Sequence, residues 1–238
     1  MRIKVHEYDN VTHYYRLAFQ DEGHQIVDED PDVFFTDTSS LIRKPIGISS
    51  NVFNIVIVAD APKEIPSFIH SYDLGLSIVP IDMPLKILEQ PWAYSPHYFY
   101  DMENKRDLDL IFVGGNHHNF QSKLGHKFFN RTPKDTGALL NRGLMTYRMG
   151  AMHNTADVKR LTLLPFEAAA CKTMCLNYRS PDTFKGIVQF DTQAELKELS
   201  DYYFENEDER NKKIAQALES IKGHSFNDRV KEVLKHVK

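Results

Sequence analysis

The sequence predicts an α/β fold in two domains, each a parallel sheet with helices on its faces. Three observations predict it. Unbroken apolar runs such as FNIVIVA at 53–59 and LDLIFV at 108–113 suit strands covered on both faces, as in parallel sheets. These runs alternate with segments of helical period, the pattern of βαβ units. The length of 238 residues, set against a prior of about 150 residues per domain, leaves room for two small domains.

In the first half, residues 3–7 begin a short strand. Residues 10–22 read as a helix with Val11, Tyr14, Tyr15, Ala18 and Phe19 on one face, and Gly23 stands at the C-cap position. Strands are expected over 32–36, 53–59 and 74–79, with a connecting segment over 62–72. Residues 80–107 differ in character. Pro80, Pro84, Pro91 and Pro96 interrupt helix and strand alike, and aromatics cluster in PWAYSPHYFY. This stretch reads as a linker packed on the surface, with the domain boundary at 104/105.

In the second half, a strand over 108–113 runs directly into Gly114, Gly115 and Asn116. Residues 124–130 and 137–150 read as helices. A further helix is expected over 163–171, with Pro165 tolerated in its first turn. Strands follow at 174–178 and 186–190. Capping-box pairs Thr192/Glu195 and Asn206/Glu209 start helices at 193–204 and 207–221, and Gly223 ends the second. The last helix, over 226–237, carries an apolar stripe of Val230, Val233, Leu234 and Val237. The expected domains are therefore 1–104 and 105–225, with residues 226–238 a helix whose stripe suits packing back on the first domain. No internal repeat or low-complexity tract occurs.

Composition excludes several classes. Hydrophobic residues at 42% and charged residues at 26% rule out wholesale disorder. No apolar run approaches the ~18 residues of a membrane span, and MRIKVHEYDN lacks the apolar centre of a signal peptide. Cys171 and Cys175 are the two cysteines, too few for a disulfide framework or a zinc site. The expectation is a cytoplasmic protein with no membrane partner. The net charge of −4 hides an asymmetry: 7 basic against 16 acidic residues in 1–104, 12 against 5 in 105–179, and 10 against 12 in 180–238.

Two segments carry chemistry. In IFVGGNHHNF (111–120), a strand followed by Gly-Gly lets a ligand approach the backbone and turns amide donors toward an anion. The spacing matches neither a Walker A loop nor a GxGxxG fingerprint. His117 and His118 have no carboxylate or thiol at ligand spacing, so no metal site is expected. In HNTADVKRLTLLPFEAAACKTMCLNY (153–178), Glu167 stands near the start of a helix rich in alanine, where a carboxylate is also an ordinary capping residue. In open parallel sheets, ligands bind at the C-terminal ends of the strands. That rule nominates Asp60, which follows the strongest strand in VADAP, as a general base, with a plain helix N-cap as its alternative. Asp9 and His13, which follow the first strand, are weaker candidates for the same catalytic role.

Taken in order, Phe112-Val113-Gly114, Asn154, the run FEAAAC from Phe166 to Cys171, DTQAEL at 191–196, Asn206 with Arg210, and HSFNDR at 224–229 resemble the C-terminal domain of GT-B fold glycosyltransferases. The resemblance covers roughly 108–229. It implies two Rossmann-like domains facing across a cleft, and metal-independent transfer of a sugar from a nucleotide-diphosphate sugar, UDP favoured, to an acceptor hydroxyl. No cofactor beyond the donor is implied. Glu167 would accept hydrogen bonds from the donor ribose, and its helix N-terminus would face the diphosphate. Arg160 would pair with phosphate as a bidentate cation. Gly114, Gly115, Asn116 and Asn154 would pass close to the donor, and Arg142 and Arg148 are further cationic candidates.

Two departures stand out. Lys159 occupies the place where many retaining members carry a first Glu, so stereochemistry stays unassigned. Lys172 follows Cys171 where the family has Gly, and would either crowd the donor pocket or add a phosphate contact. Small anchor-free GT-B enzymes modify phage DNA, so a hydroxymethylated DNA base is one candidate acceptor and a saccharide or protein another. The acidic first half argues against a wide DNA surface. A catalytically degenerate nucleotide-sugar-binding or interaction protein of the same fold is the alternative reading. A nucleotide-dependent epimerase or dehydrogenase is disfavoured by the lack of GxGxxG after the first strand.

Overall fold

The structure is a computed structural model. It describes residues 1–7, 9–37, 50–58, 67–77, 83–114, 124–129, 131–148, 162–178 and 184–237. The chain divides into two compact units, 1–91 with 225–238, and 92–224.

The first unit is built on β1 (Arg2–Val5), α1 (Asn10–Asp21), β2 (Gln25–Ile26), β3 (Val33–Asp37), β4 (Phe53–Val58), a 3-10 turn (Ser67–Ser71), β5 (Leu74–Ser77) and β6 (Ile87–Glu89). The strands form one sheet in the order β2-β1-β3-β4-β5-β6, and every pairing is parallel. All five residues of β3 and five of the six in β4 are buried, which is why these strands read as continuous apolar runs. Short β2 and β6 are edge strands, and their brevity hides them from sequence periodicity.

Asp9 starts α1 by accepting from the Thr12 amide in a capping box. Gly23, at φ +80°, ends it in the left-handed conformation. The buried face of α1 holds Tyr14, Tyr15, Ala18 and Phe19. Against it packs the last helix, α6 (Phe226–Leu234), started by a Ser225–Asp228 capping box. Phe226 is 1% exposed. Its ring centroid lies 5.2 Å from that of Tyr14 and 5.0 Å from that of Tyr15, an aromatic geometry that adds to area burial. Asn227 donates to Asp21 at 2.9 Å, and Lys231 lies 3.4 Å from Glu22.

The second unit contains β7 (Leu108–Gly114), β8 (His126–Phe129), α2 (Pro133–Leu140), β9 (Gly143–Arg148), α3 (Leu163–Ala170), β10 (Met174–Tyr178), β11 (Val188–Phe190), α4 (Gln193–Glu205) and α5 (Glu207–Ser220). Its sheet runs β11-β10-β9-β7-β8, again entirely parallel. Leu110, Met145, Tyr147, Met174, Leu176 and Phe190 from the sheet pack with Leu196 and Tyr203 of α4. Both sheets thus reverse direction after their second strand, the order of doubly wound nucleotide folds.

Three expectations change. Residues 126–129 form a strand rather than a helix. The expected helix over 137–150 is instead the end of α2 plus strand β9. Its apolar residues Leu139, Leu140, Leu144 and Tyr147 also fit a helical period, whereas the true helix start is Thr132, whose hydroxyl caps the Asp135 amide just before Pro133. Asn206 makes no side-chain cap for α5; its amide donates back to the Tyr202 carbonyl at 2.8 Å.

The first unit ends at Pro91 rather than at 104, because residues after 91 pack on the second unit. Asn141 receives the Met102 amide and donates to the Tyr100 carbonyl. A Cβ on Gly137 would stand 2.0 Å from the Tyr98 carbonyl oxygen, so only glycine admits that approach. No helix among the described residues is long and apolar enough to cross a membrane.

Phe226 is the anchor of α6, so Phe226→Ala is expected to destabilise the protein by about 3–5 kcal/mol in urea denaturation.

Candidate functional site

In the second unit the strand order reverses between β7 and β9. The crevice at a switch point lies at the C-terminal ends of the strands. Gly114 closes β7 and Arg148 closes β9. Arg148 pairs in register with Asn177 of β10. Because Met145, Tyr147, Met174 and Leu176 face α4, strand alternation puts Arg148, Cys175 and Asn177 on the opposite face, toward α3.

Helix α3 runs back along the sheet, so its N-terminus lies at this same edge. Thr162 holds the N-cap position but makes no capping hydrogen bond. Its hydroxyl and the Asn177 carboxamide oxygen are buried with no hydrogen-bond partner. Glu167, in the second turn of α3, is 7% exposed. Burial pulls the Arg148 guanidinium below its ordinary pKa, and the nearby Glu167 carboxylate opposes that shift. The edge therefore holds a buried acid, a half-buried arginine and two unsatisfied polar atoms. Such a set suits a ligand with hydroxyl donors and an anionic part.

Other expected donor residues behave differently. Arg142 precedes β9 and so lies at the opposite, N-terminal edge of the sheet. There it binds Asp107 bidentately at 2.9 and 2.6 Å, and that pair lowers the Asp107 carboxyl. The structure does not bring Arg142 together with Arg148 and Glu167. Lys172 also sits at that far edge, beyond the end of α3. Its φ of +53° explains why glycine suits the position, and its ammonium lies 2.7 Å from Asp101. It neither crowds the strand-end crevice nor reaches a ligand there. Gly115, Asn116, Asn154 and Arg160 lie outside the described residues, as do His117 and His118.

In the first unit the reversal falls between β1 and β3. Asp9 follows β1, but its carboxylate is engaged as the α1 cap, accepting from the Thr12 amide at 3.0 Å and hydroxyl at 3.1 Å. His13, one turn into α1, places Nδ1 2.6 Å from Glu7 Oε2. Asp37, at the end of β3, is 3% exposed and belongs to the same strand edge. A carboxylate closing the apolar strand DVFFTD is its signal in the sequence. Asp60 lies outside the described residues. Among the described residues, no three His, Cys, Asp or Glu side chains group closely enough to hold a metal ion.

Two units of parallel sheet with this strand order, and a buried Glu–Arg set at the strand ends of the second, define a GT-B type of glycosyltransferase architecture. The model of the glycosyl transferase-like family matches residues 101–235. That is more than half of the chain, and the chain belongs to this family. No curated protein sequence matches it.

Among solved structures, it is similar to the T4 phage beta-glucosyltransferase, at 11% identity and TM-score 0.66 over 99% of this chain and 98% of that one. It is also similar to an alpha-glucosyltransferase in complex with UDP and a 13-mer DNA, at 11% identity and TM-score 0.68 over 100% and 99%. A third is the T4 phage BGT in complex with UDP and Mn2+, at 11% identity and TM-score 0.65 over 100% and 99%. At that identity the likeness is one of fold.

The site's surroundings make a testable statement about its cysteines. Burial pushes both the Cys171 and the Cys175 thiol up to about 12, with Glu167 adding to the shift at Cys171 and Arg148 opposing it at Cys175. In an unfolded chain a thiol titrates at about 8.5. The folded state therefore holds these protons more tightly. The resulting stability is complete below that unfolded value and is lost as pH rises toward 12. Neither thiol is expected to react with a disulfide reagent in the native protein, and both should react on denaturation. The urea midpoint should fall as the buffer is made more alkaline.

Proposed function

We propose that this protein transfers a hexose from a UDP-sugar to the hydroxyl of a hydroxymethylated base in DNA. The observation that carries the donor half is Glu167, a carboxylate buried at the strand-end edge beside Arg148. In this reading Glu167 accepts hydrogen bonds from the ribose hydroxyls, a task that suits an acid already out of water. Arg148, Arg160 and the amides at the start of α3 counter the diphosphate. Catalysis rests on positioning the donor and stabilising the departing diphosphate. The cations supply that charge, so neither a metal ion nor a cofactor is required. The fold-level likeness to a glucosyltransferase in complex with UDP and DNA favours the DNA acceptor over a saccharide or protein.

The test is transfer of radiolabelled sugar from UDP-glucose to a duplex containing hydroxymethylcytosine, with an unmodified duplex of the same sequence as control. Label is expected in the hydroxymethylated duplex alone, and EDTA should leave the rate unchanged. Donor binding is read separately by thermal shift, where ligand at 100 times its dissociation constant adds about 2.7 kcal/mol of stability. Glu167→Gln should raise the dissociation constant for UDP-glucose about tenfold, equivalent to the ~1.4 kcal/mol of a hydrogen bond to a charged group. A flat thermal response to UDP-, GDP-, ADP- and TDP-sugars defeats the donor assignment. Equal labelling of both duplexes defeats the acceptor.

A further inference from the structure

The second unit holds a cavity beside its edge strand β11. The turn leading into β11 and one face of α5 frame a volume of about 270 Å³. Drug-sized ligands fill ~300–1,000 Å³, so this space admits a smaller one. Phe184, Lys185, Gly186 and Ile187 of the turn line one side, and Lys213 and Gln216 of α5 line the other.

The walls are fixed before any ligand arrives. Gly186 has φ +91°, and a Cβ there would stand 2.4 Å from the Ala217 amide nitrogen and 2.4 Å from the Lys213 carbonyl oxygen. Only glycine brings the turn this close to the helix. The Ser220 hydroxyl donates to the Lys185 carbonyl at 3.2 Å, tying the same turn to the end of α5. Phe184 is buried, with its ring edge-on to Phe166 of α3 at 5.1 Å. A preformed cavity spares its ligand the cost of ordering the wall.

The charge at this cavity is uncompensated. Elsewhere on α5 Lys212 lies 3.9 Å from Glu209, and just past the helix Lys222 lies 2.5 Å from Glu219. Lys213 is half-buried, and among the described residues neither it nor Lys185 pairs with an acid. No carboxylate is among the residues lining the cavity. Two ammonium groups at one cavity favour an anion there. Lysine binds phosphate as a compact point charge, and two of them match the charge of about −1.5 to −2 on a phosphate monoester at pH 7. A carboxylate or a phosphodiester brings only one. The Gln216 carboxamide offers a donor and an acceptor, and Phe184 and Ile187 offer an apolar surface, so the body of the ligand carries hydroxyls on a carbon ring.

We infer that this cavity binds the phosphate monoester of a small polyhydroxylated molecule, with Lys185 and Lys213 on the phosphate and Gln216 on a hydroxyl. It shares no lining residue with the Arg148–Glu167 edge, and it stands or falls without the transfer reaction proposed above.

The test is calorimetric titration of glucose 6-phosphate into the whole protein at fixed ionic strength, with Lys213→Met, Lys185→Met and Lys222→Met beside the wild type. Methionine keeps an unbranched stem and removes the charge, and an unchanged Tm without ligand shows that each variant folds. The wild type is expected to show one saturable site that persists in saturating UDP, and the Gly186 and Ile187 amide resonances should move on binding. Lys213→Met and Lys185→Met should each raise Kd about tenfold, as for loss of a hydrogen bond between charged groups. Lys222→Met, which removes an exposed paired lysine, should stay within about twofold of wild type.

No saturable binding, equal affinity in the Lys213 and Lys222 variants, or displacement by UDP overturns the site. Inorganic phosphate binding as tightly as glucose 6-phosphate overturns the polyhydroxylated body. Displacement by an unmodified DNA duplex, at an affinity that Lys213→Met also weakens, gives the two lysines to backbone phosphates and overturns the small ligand.

Discussion

A buried polar relay holds the first unit together. Tyr15 on α1 donates its hydroxyl to Gln90 Oε1 at 3.0 Å, Gln90 Nε2 donates to the Arg229 carbonyl at 3.2 Å, and Arg229 Nε donates to the Pro91 carbonyl at 2.9 Å. Tyr15, Gln90 and Arg229 are each less than 10% exposed. Burial raises the Tyr15 phenol and lowers the Arg229 guanidinium from their ordinary values, so the phenol stays a proton donor. A satisfied network in a low-dielectric interior fixes one arrangement, because slipping any member strands the others without partners. What it fixes is the seat of α1 between the sheet and the last helix. The first turns of α1 carry Asp9, His13 and Arg16, so the placement of these side chains depends on a helix some 200 residues later in the chain.

The second unit separates its charges between two edges. At the N-terminal edge, Arg106 donates to the carbonyls of Leu140, Gly143 and Cys171 and to the Thr173 hydroxyl, tying the ends of α2 and α3 to the start of β9. Arg142 and Lys172 are paired with acids there too. These three cations are structural, and the basic excess of the middle segment is not a single anion site. Among the described residues, Arg148 and Glu167 are the charged members of the C-terminal edge, and both are more buried than the ion pairs of the other edge.

The strongly apolar strands β3, β4, β7 and β10 and the helices around Phe166 and Phe226 were legible in the sequence, because burial on both faces leaves continuous apolar runs and helices leave a stripe. The strand β9 was not, since GLMTYR carries apolar residues that satisfy both periods and only its pairing to β7 and β10 decides between them. Glu167 was legible through the order of motifs around it. The pairing of Glu7 with His13 was not, because the two lie six residues apart in an exposed, charged stretch, and only the turn from β1 into α1 brings them together. Arg142 was misplaced for a related reason. Sequence shows that a residue precedes or follows an element, but a strand's two ends differ in chemistry only once the boundary of that strand is known.

The same chain order has a consequence for synthesis. The second unit is one uninterrupted segment, 92–224, while the first is completed by residues after 224. As the chain leaves the ribosome, the second unit can close its core as soon as its own residues are out. The first, although its sheet and α1 precede the second unit in the chain, holds them without Phe226 and Arg229 until the residues past 224 have emerged. Of the two units, the one whose sheet emerges before the other is the later to be completed, and until then its aromatic face of Tyr14 and Tyr15 lacks the cover of Phe226.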